Sequence, residues 1–326
     1  MIEVKNLTKV YGNHVAVDHV SFTIDSGKIY GFLGPNGAGK TTTMNIITGC
    51  LAATEGTVTV DGHDIFEEPI EAKKCIGYLP EVPPLYQDMT VNDYLHFVAE
   101  AKGLKGKEVP AEVERVMAKT DITDMRFRLI KNLSKGYRQR TGLAQAILGN
   151  PQVIILDEPT VGLDPQQLIE IRDLIRELGK DRTVMLSSHI MQEISAVCDT
   201  LIIISKGKLV AEDTPENLSL MAEHGQTMNL TVRADEAKAR EILAALDREL
   251  EIKSAKTTGE NETSLEIGIL TDEDVREKLF YAFADAKCAI VSMIREQQSL
   301  EDVFLSLTGD KPAAQPEPEA SQGGAA

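Results

Sequence analysis

Gly34-Pro-Asn-Gly-Ala-Gly-Lys-Thr41 stands directly after an apolar run, Lys28 to Leu33, and directly before a stretch of helical character from Lys40 to about Thr48. Strand, glycine-rich turn and helix in that order are the context in which G-x-x-x-x-G-K-[ST] encloses phosphate. Gly34, Gly37 and Gly39 admit positive φ and close approach of the backbone. Successive N–H groups and a helix N-terminus can then surround an anion. Pro35, Asn36 and Ala38 complete the loop. Lys40 is expected to reach the β- and γ-phosphates, the Thr41 hydroxyl to ligate Mg2+, and Thr42 to meet the α-phosphate.

Downstream, Val153-Ile-Ile-Leu-Asp-Glu-Pro159 is an apolar strand that ends in two acids. Such a strand can be buried while its carboxylates emerge at the sheet edge where ligands bind. Asp157 is assigned to the metal and Glu158 to the base that polarises an attacking water. Taken alone, two acids at a strand end also serve to start the next helix.

Around these two motifs the chain reads as α/β. Ile2 to Val10, Val20 to Ile24 and Lys28 to Leu33 are predicted strands, separated by Gly12-Asn13 and Ser26-Gly27 turns, and Gly56 to Gly62 reads as a hairpin. Thr90 to Ile147 turns helical, opened by Thr90 with Asp93 as a capping box and followed by Tyr94, Phe97 and Val98 at helical spacing. Beyond it, 153–156, 183–186 and 201–204 are short apolar runs separated by helical stretches, as in a buried parallel sheet.

A break at Glu223-His-Gly-Gln226 introduces a second unit of β-α-β-β-α-β order, which is ferredoxin-like. Its strands are expected at Met228–Arg233, Ile252–Lys256, Ser264–Ile269 and Ala289–Ile294, and its helices at Asp235–Leu250 and Asp272–Ala286. A last helix is expected from Ser299, capped by Asp302, with Leu300, Val303, Phe304 and Leu307 on one face. The tail from residue 310, rich in Pro and Gly, is expected to be disordered.

The bulk properties narrow the function. A net charge of −17 argues against a nucleic-acid partner, because that affinity rests on Lys and Arg neutralising phosphates. Four dispersed cysteines, Cys50, Cys75, Cys198 and Cys288, suggest neither a zinc knuckle nor a disulfide framework, and fit a reducing cytoplasm. Met1-Ile-Glu-Val-Lys5 begins on an alternating strand without a leader-like apolar core, and no run approaches the ~20 apolar residues of a membrane span.

Between the loop and the acids lies Leu133-Ser-Lys-Gly-Tyr-Arg-Gln-Arg140, which resembles the signature of ABC ATPases, with departures at Lys135 and Tyr137. Ser134 taken alone also reads as a simple helix cap. Tyr11 resembles the family's aromatic that stacks on adenine, Gly162-Leu-Asp-Pro165 its D-loop with Asp164, and Ser188-His189 its switch histidine. Six elements stand in the family's order within about the first 215 residues. Where the family usually has glutamine, Gly77-Tyr-Leu-Pro-Glu81 supplies Glu81, a carboxylate that can still bind magnesium. That substitution, the altered signature and the appended domain ending Ser299-Leu-Glu-Asp-Val-Phe304 look like the drug-export, gliding-motility and sodium-export type.

The resemblance implies an α/β P-loop NTPase fold of ABC type, with a parallel-sheet core, an antiparallel β subdomain and a helical subdomain at about 88–150. The ATP-binding domain would span 1–222 and the α+β accessory domain 226–309. It implies ATP and Mg2+ as ligands, held by Tyr11, the loop, Glu81 and Asp157. Ser134, Gly136 and Asp164 would act across a homodimer or heterodimer, with Glu158, His189 and Lys40 catalytic. It further implies a separate membrane-spanning permease and a place on the inner face of the cell membrane. The alternatives are a soluble ABC ATPase of repair or the ribosome, or a P-loop kinase. No long coiled coil interrupts 81–133 and one phosphate loop is present, whereas a kinase leaves Ser134, Gly136 and His189 without a task.

Overall fold

The computed structural model describes residues 1–223, 227–246, 250–259, 261–269 and 274–296, with Phe304, Leu305 and Thr308. It divides into two compact units, Met1–Leu218 and Ser219–Ala326. The first unit begins with β1 (Ile2–Tyr11), β2 (His14–Ile24), β3 (Ile29–Leu33), α1 (Lys40–Ile47), β4 (Glu55–Val60), β5 (His63–Asp64), α2 (Pro69–Lys74) and β6 (Ile76–Leu79). Three helices follow, α3 (Val91–Ala101), α4 (Glu108–Lys119) and α5 (Lys135–Ile147). The chain then returns through β7 (Val153–Leu156), α6 (Pro165–Gly179), β8 (Thr183–Ser188), α7 (Met191–Ser195), β9 (Thr200–Ser205), β10 (Lys208–Asp213) and α8 (Pro215–Glu223).

Two sheets carry this unit. β2-β1-β4-β5 is antiparallel, and β10-β9-β3-β8-β7-β6 is parallel except for its antiparallel edge strand β10. β3 lies in the middle with every residue buried, as an unbroken apolar run requires. Phe32, Ile155, Met185 and Ile202 of the parallel sheet join Ile2, Val4, Val58 and Val60 of the antiparallel one in a single core with α1. β2 starts at His14, six residues before the expected Val20, so Gly12-Asn13 is the turn of a long hairpin. The sequence hid this because register slips break the alternation and His19 takes a positive φ of 51°. The expected hairpin at 56–62 is present, with β4 and β5 joined through Asp61 and Gly62, both at positive φ.

The helical layer is less continuous than expected, since only short 3-10 turns occupy residues between α4 and α5. Thr90 caps α3 by accepting the Asp93 N–H at 3.1 Å, and its hydroxyl donates to the Asp93 carboxylate at 2.7 Å. Val109, Val113, Val116 and Met117 bury one face of α4. Phe97 stays largely exposed and rests on the ring of Tyr86, 5.5 Å between centroids. At the far end of α5, the ammonium of Lys102 donates to the carbonyls of Gln145, Ala146 and Leu148 at 2.8–3.2 Å. Arg115 of α4 donates to the carbonyl of Ile147 at 3.2 Å, and these cations meet the unpaired carbonyls of a helix terminus.

The second unit contains β11 (Thr227–Val232), α9 (Glu236–Leu246), β12 (Leu250–Gly259), β13 (Glu262–Ile269), α10 (Arg276–Asp285) and β14 (Ile290–Glu296). Its strand order β12-β13-β11-β14, antiparallel throughout, is the ferredoxin-like sheet. Leu230, Leu265, Ile267, Leu279 and Phe283 form its own core. Leu250, expected as the last residue of the helix from Asp235, belongs to β12. The expected helix from Ser299 and the tail from 310 lie outside the described residues apart from Phe304, Leu305 and Thr308. Among the described residues no helix is long and apolar enough to cross a membrane.

Candidate functional site

Parallel register gathers the candidate residues at one edge of the sheet. Leu33 at the end of β3 pairs with Ser188, and Leu156 at the end of β7 pairs with Leu186, so the loop at Gly34, the acids Asp157-Glu158 and the segment Ser187-Ser188-His189 emerge side by side. Ligands bind beyond the carboxyl ends of strands in such sheets. Here the edge borders a cleft of about 420 Å³. Asn36, Gly37, Gly39, Lys40, Thr41 and Thr42 form one wall, with Tyr11, His14 and Ala16 beside them. Glu81, Glu158, Val161 and His189 complete the lining.

The glycine-rich loop is held by the backbone. Gly39 precedes α1 at φ 103°, where an added Cβ would stand 2.6 Å from the Ala16 carbonyl, so no other residue fits. The buried Ala38 accepts a hydrogen bond from the Gly207 N–H at 3.0 Å, tying the loop to the β9–β10 turn. The ammonium of Lys40 is buried and donates to the carbonyls of Gly34 at 2.7 Å and Pro35 at 3.3 Å. It lies 3.7 Å from Glu158 Oε1. Burial pushes Lys40 below the ordinary lysine value, and the carboxylates of Glu158 and Asp157 work against that shift.

Glu158 has φ 48°, in the left-handed region that costs a non-glycine residue about 1–3 kcal/mol. Its Oε2 meets His189 Nδ1 at 3.0 Å, so one carboxylate faces the lysine with one oxygen and the histidine with the other. Asp157 is fully buried: Oδ1 accepts from the Ser187 hydroxyl at 2.6 Å, while Oδ2 has no hydrogen-bond partner. The same Ser187 oxygen accepts the Glu158 N–H at 2.9 Å. Ser187 was not among the residues expected from the sequence; a serine at the end of a strand was the available signal. The Thr160 hydroxyl donates to Glu193 of α7, joining the segment after Glu158 to the one after His189.

An unpartnered buried carboxylate oxygen suits a hard divalent cation, and Thr41, Asp157 and Glu81 offer oxygen donors only, as Mg2+ prefers. Among the described residues no group of three or more His, Cys, Asp or Glu could hold a metal by itself. Such an ion would therefore need phosphate oxygens and water to fill its shell.

Ser134, Gly136 and Asp164 do not line this cleft. Ser134 caps α5 by accepting the Tyr137 N–H at 3.3 Å, and Asp164 caps α6 by accepting the Gln167 N–H at 2.9 Å. Gly136 and Asp164 border a second hollow, where the Gln167 amide fills the space a Cβ on Gly136 would need. Lys135 lies against Gly162, which holds φ 71°.

Comparison with known proteins agrees with this geometry. The ABC transporter family model matches residues 17–161. The chain is 34% identical over 317 residues to the uncharacterized ABC transporter ATP-binding protein YhcH of Bacillus subtilis, covering 95% of this chain and 96% of that protein. It is 31% identical to the linearmycin resistance ATP-binding protein LnrL of Bacillus subtilis, over 95% of this chain and 98% of that one. Identity is 33% to the bacitracin transport ATP-binding protein BcrA of Bacillus licheniformis, over 95% and 97%. Among solved structures, an ATP-binding subunit of an ABC transporter matches 68% of this chain and 92% of its own at 28% identity and a TM-score of 0.62. The dimeric ATP-binding cassette MJ0796, bound to ADP and Pi after hydrolysis, matches 66% and 98% at 25% identity and a TM-score of 0.61. Likeness along almost the whole of its relatives and a fold shared with solved cassettes lead to one conclusion: the chain belongs to the ATP-binding proteins of ABC transporters, and it is an ATPase.

Proposed function

We propose that two copies of this chain, or one copy and a similar partner, close around two molecules of Mg-ATP and drive a separate membrane permease in the direction of export. The observation that carries the reading is the division of the motif residues. Lys40, Thr41, Glu158 and His189 share one cleft, whereas Ser134, Gly136 and Asp164 are not among its lining and the last two border a separate hollow. A phosphate held by the first set would then meet the second set of another subunit. Relatives named for linearmycin resistance and bacitracin transport support export, and the dimeric structures of the cassette MJ0796 support closure.

Tyr11 would stack on adenine at the exposed end of the cleft, with the loop 34–42 around the phosphates. Lys40 would exchange its bonds to the Gly34 and Pro35 carbonyls for phosphate oxygens, a charge-assisted replacement for neutral acceptors. Thr41, Asp157 and Glu81 would hold Mg2+, which neutralises charge on the β- and γ-phosphates. Glu158 would accept a proton from the attacking water as the γ-phosphate leaves, and His189, 3.0 Å from the carboxylate, would orient it. Loss of the γ-phosphate removes the bridge between subunits and lets them part. A position on the inner face of the membrane, through the permease, follows from this coupling. The second unit is proposed as an accessory domain that stabilises the dimer.

Glu158→Gln tests the reading. Glutamine keeps the volume and cannot take the proton, so the variant should bind ATP normally, run as a dimer with ATP by size-exclusion chromatography with light scattering, and hydrolyse at least a hundredfold more slowly. A variant that stays monomeric in ATP, or that turns over at the parent rate, refutes the assignment.

A further inference from the structure

We propose that Lys9 is a positioning residue for the nucleotide base: its ammonium backs the ring of Tyr11 and leaves the other ring face for adenine. The inference rests on the reading of Tyr11 given above and adds a residue that no motif in the sequence picks out. Lys9 Nζ stands 5.1 Å from the centroid of the Tyr11 ring, within the range of a cation–π contact. The ammonium does not hang free, for it donates to the carbonyl of Ala52 at 2.8 Å and so is fixed to the segment before β4. Lys9 forms no ion pair among the described residues, and its charge is directed at the ring.

The placement of the two side chains decides their roles. The β1–β2 register slips between Lys9 and Val10, with Ala16 of β2 as the extra residue, while Lys9 and Tyr11 are two apart along β1 and share one face of the strand. Tyr11, at 48% exposure, lines the cleft with His14 and Ala16. Lys9 is absent from the cleft lining although its ammonium touches that ring. On this proposal the ammonium and the cleft meet the ring from different sides. A cation on the rear face holds the ring in one orientation and draws electron density from it. A flat purine stacking on the open face then meets a ring already ordered, and less freedom is lost on binding.

The test is isothermal titration of the full chain with ADP in Mg2+, which is not hydrolysed, and with inorganic pyrophosphate, which has no base. Tyr11→Ala should weaken ADP at least fivefold. Lys9→Met should weaken ADP about two- to fivefold, Lys9→Arg should restore it, and neither should alter pyrophosphate. In a Tyr11→Ala background, Lys9→Met should have no further effect. Unchanged ADP affinity in Lys9→Met, an equal loss for pyrophosphate, or the same loss without the ring would each overturn the proposal. Unchanged ADP affinity in Tyr11→Ala would instead withdraw the base-stacking reading beneath it. Lys9 is half-buried on a sheet surface, and matching thermal melts without nucleotide would establish that the variants fold alike.

Discussion

Replacing Ser187 by alanine isolates the contact that holds both acids. Its hydroxyl donates to Asp157 at 2.6 Å and accepts the Glu158 N–H at 2.9 Å, and the residue has no solvent exposure. Alanine loses a hydrogen bond to a charged group, worth about 1.5–3 kcal/mol, and orphans a buried N–H at about 1–3 kcal/mol. The two losses overlap because a single hydroxyl makes both bonds. We therefore expect a loss of about 3 kcal/mol, which at a urea slope of about 2–3 kcal/mol/M moves the unfolding midpoint by about 1 M. Glu158, held at φ 48°, would lose its backbone anchor, so the folded variant should hydrolyse ATP roughly tenfold more slowly with little change in nucleotide affinity. The assay pairs urea unfolding followed by circular dichroism with steady-state phosphate release. A midpoint within 0.2 M of the parent, estimated on the same slope, together with parent turnover, would show that the contact fixes neither acid.

Two further outcomes follow from the same geometry. Lys40 is held below the ordinary lysine value by burial, and an arriving polyphosphate pushes it back up, so binding takes up a proton once the pH exceeds the lowered value. Affinity for a nonhydrolysable ATP analogue should therefore fall as pH rises from there toward about 10.4, and Lys40→Met should bind more weakly with a flat profile over that window. Equal slopes for the two proteins in calorimetric titrations would locate the proton elsewhere. Gly162→Ala forces a side chain into φ 71° and against Lys135, so denaturation should show a loss of about 1–2 kcal/mol. Lys135→Ala in the same chain should recover only the steric part, and an undiminished midpoint for Gly162→Ala alone would contradict the conformational argument.

The glycine-rich loop and the strand ending in Asp157-Glu158 were legible because each is a local pattern whose chemistry depends on consecutive residues. The β-α-β-β-α-β order of the second unit was legible for the same reason, and its strand pairing follows. Ser187 was not legible, since its role arises only from the register that sets Leu156 opposite Leu186 and carries the next residue of each strand alongside the other. The left-handed Glu158 was hidden too, because glutamate, unlike aspartate, is not enriched in that conformation and tertiary bonds impose it. β10 (Lys208–Asp213) escaped notice beside the stronger apolar signal of β9, although Lys206-Gly207, both at positive φ, make the tight turn between them. Lys9 looked like any surface lysine, because the lie of its ammonium over the Tyr11 ring is set by side-chain conformation and not by any motif.

The cluster of cations at the carboxyl end of α5 has a mechanical consequence. Thirteen residues make a rod of about 20 Å, with Ser134 capping its other end. Lys102 from the end of α3 and Arg115 from α4 clamp its base through four carbonyls. Sliding the rod alone would strip several charge-assisted bonds at once, so the three helices shift together. A push received on α3 thus arrives at Ser134 as leverage about a stiff pivot, without any intervening loop having to refold.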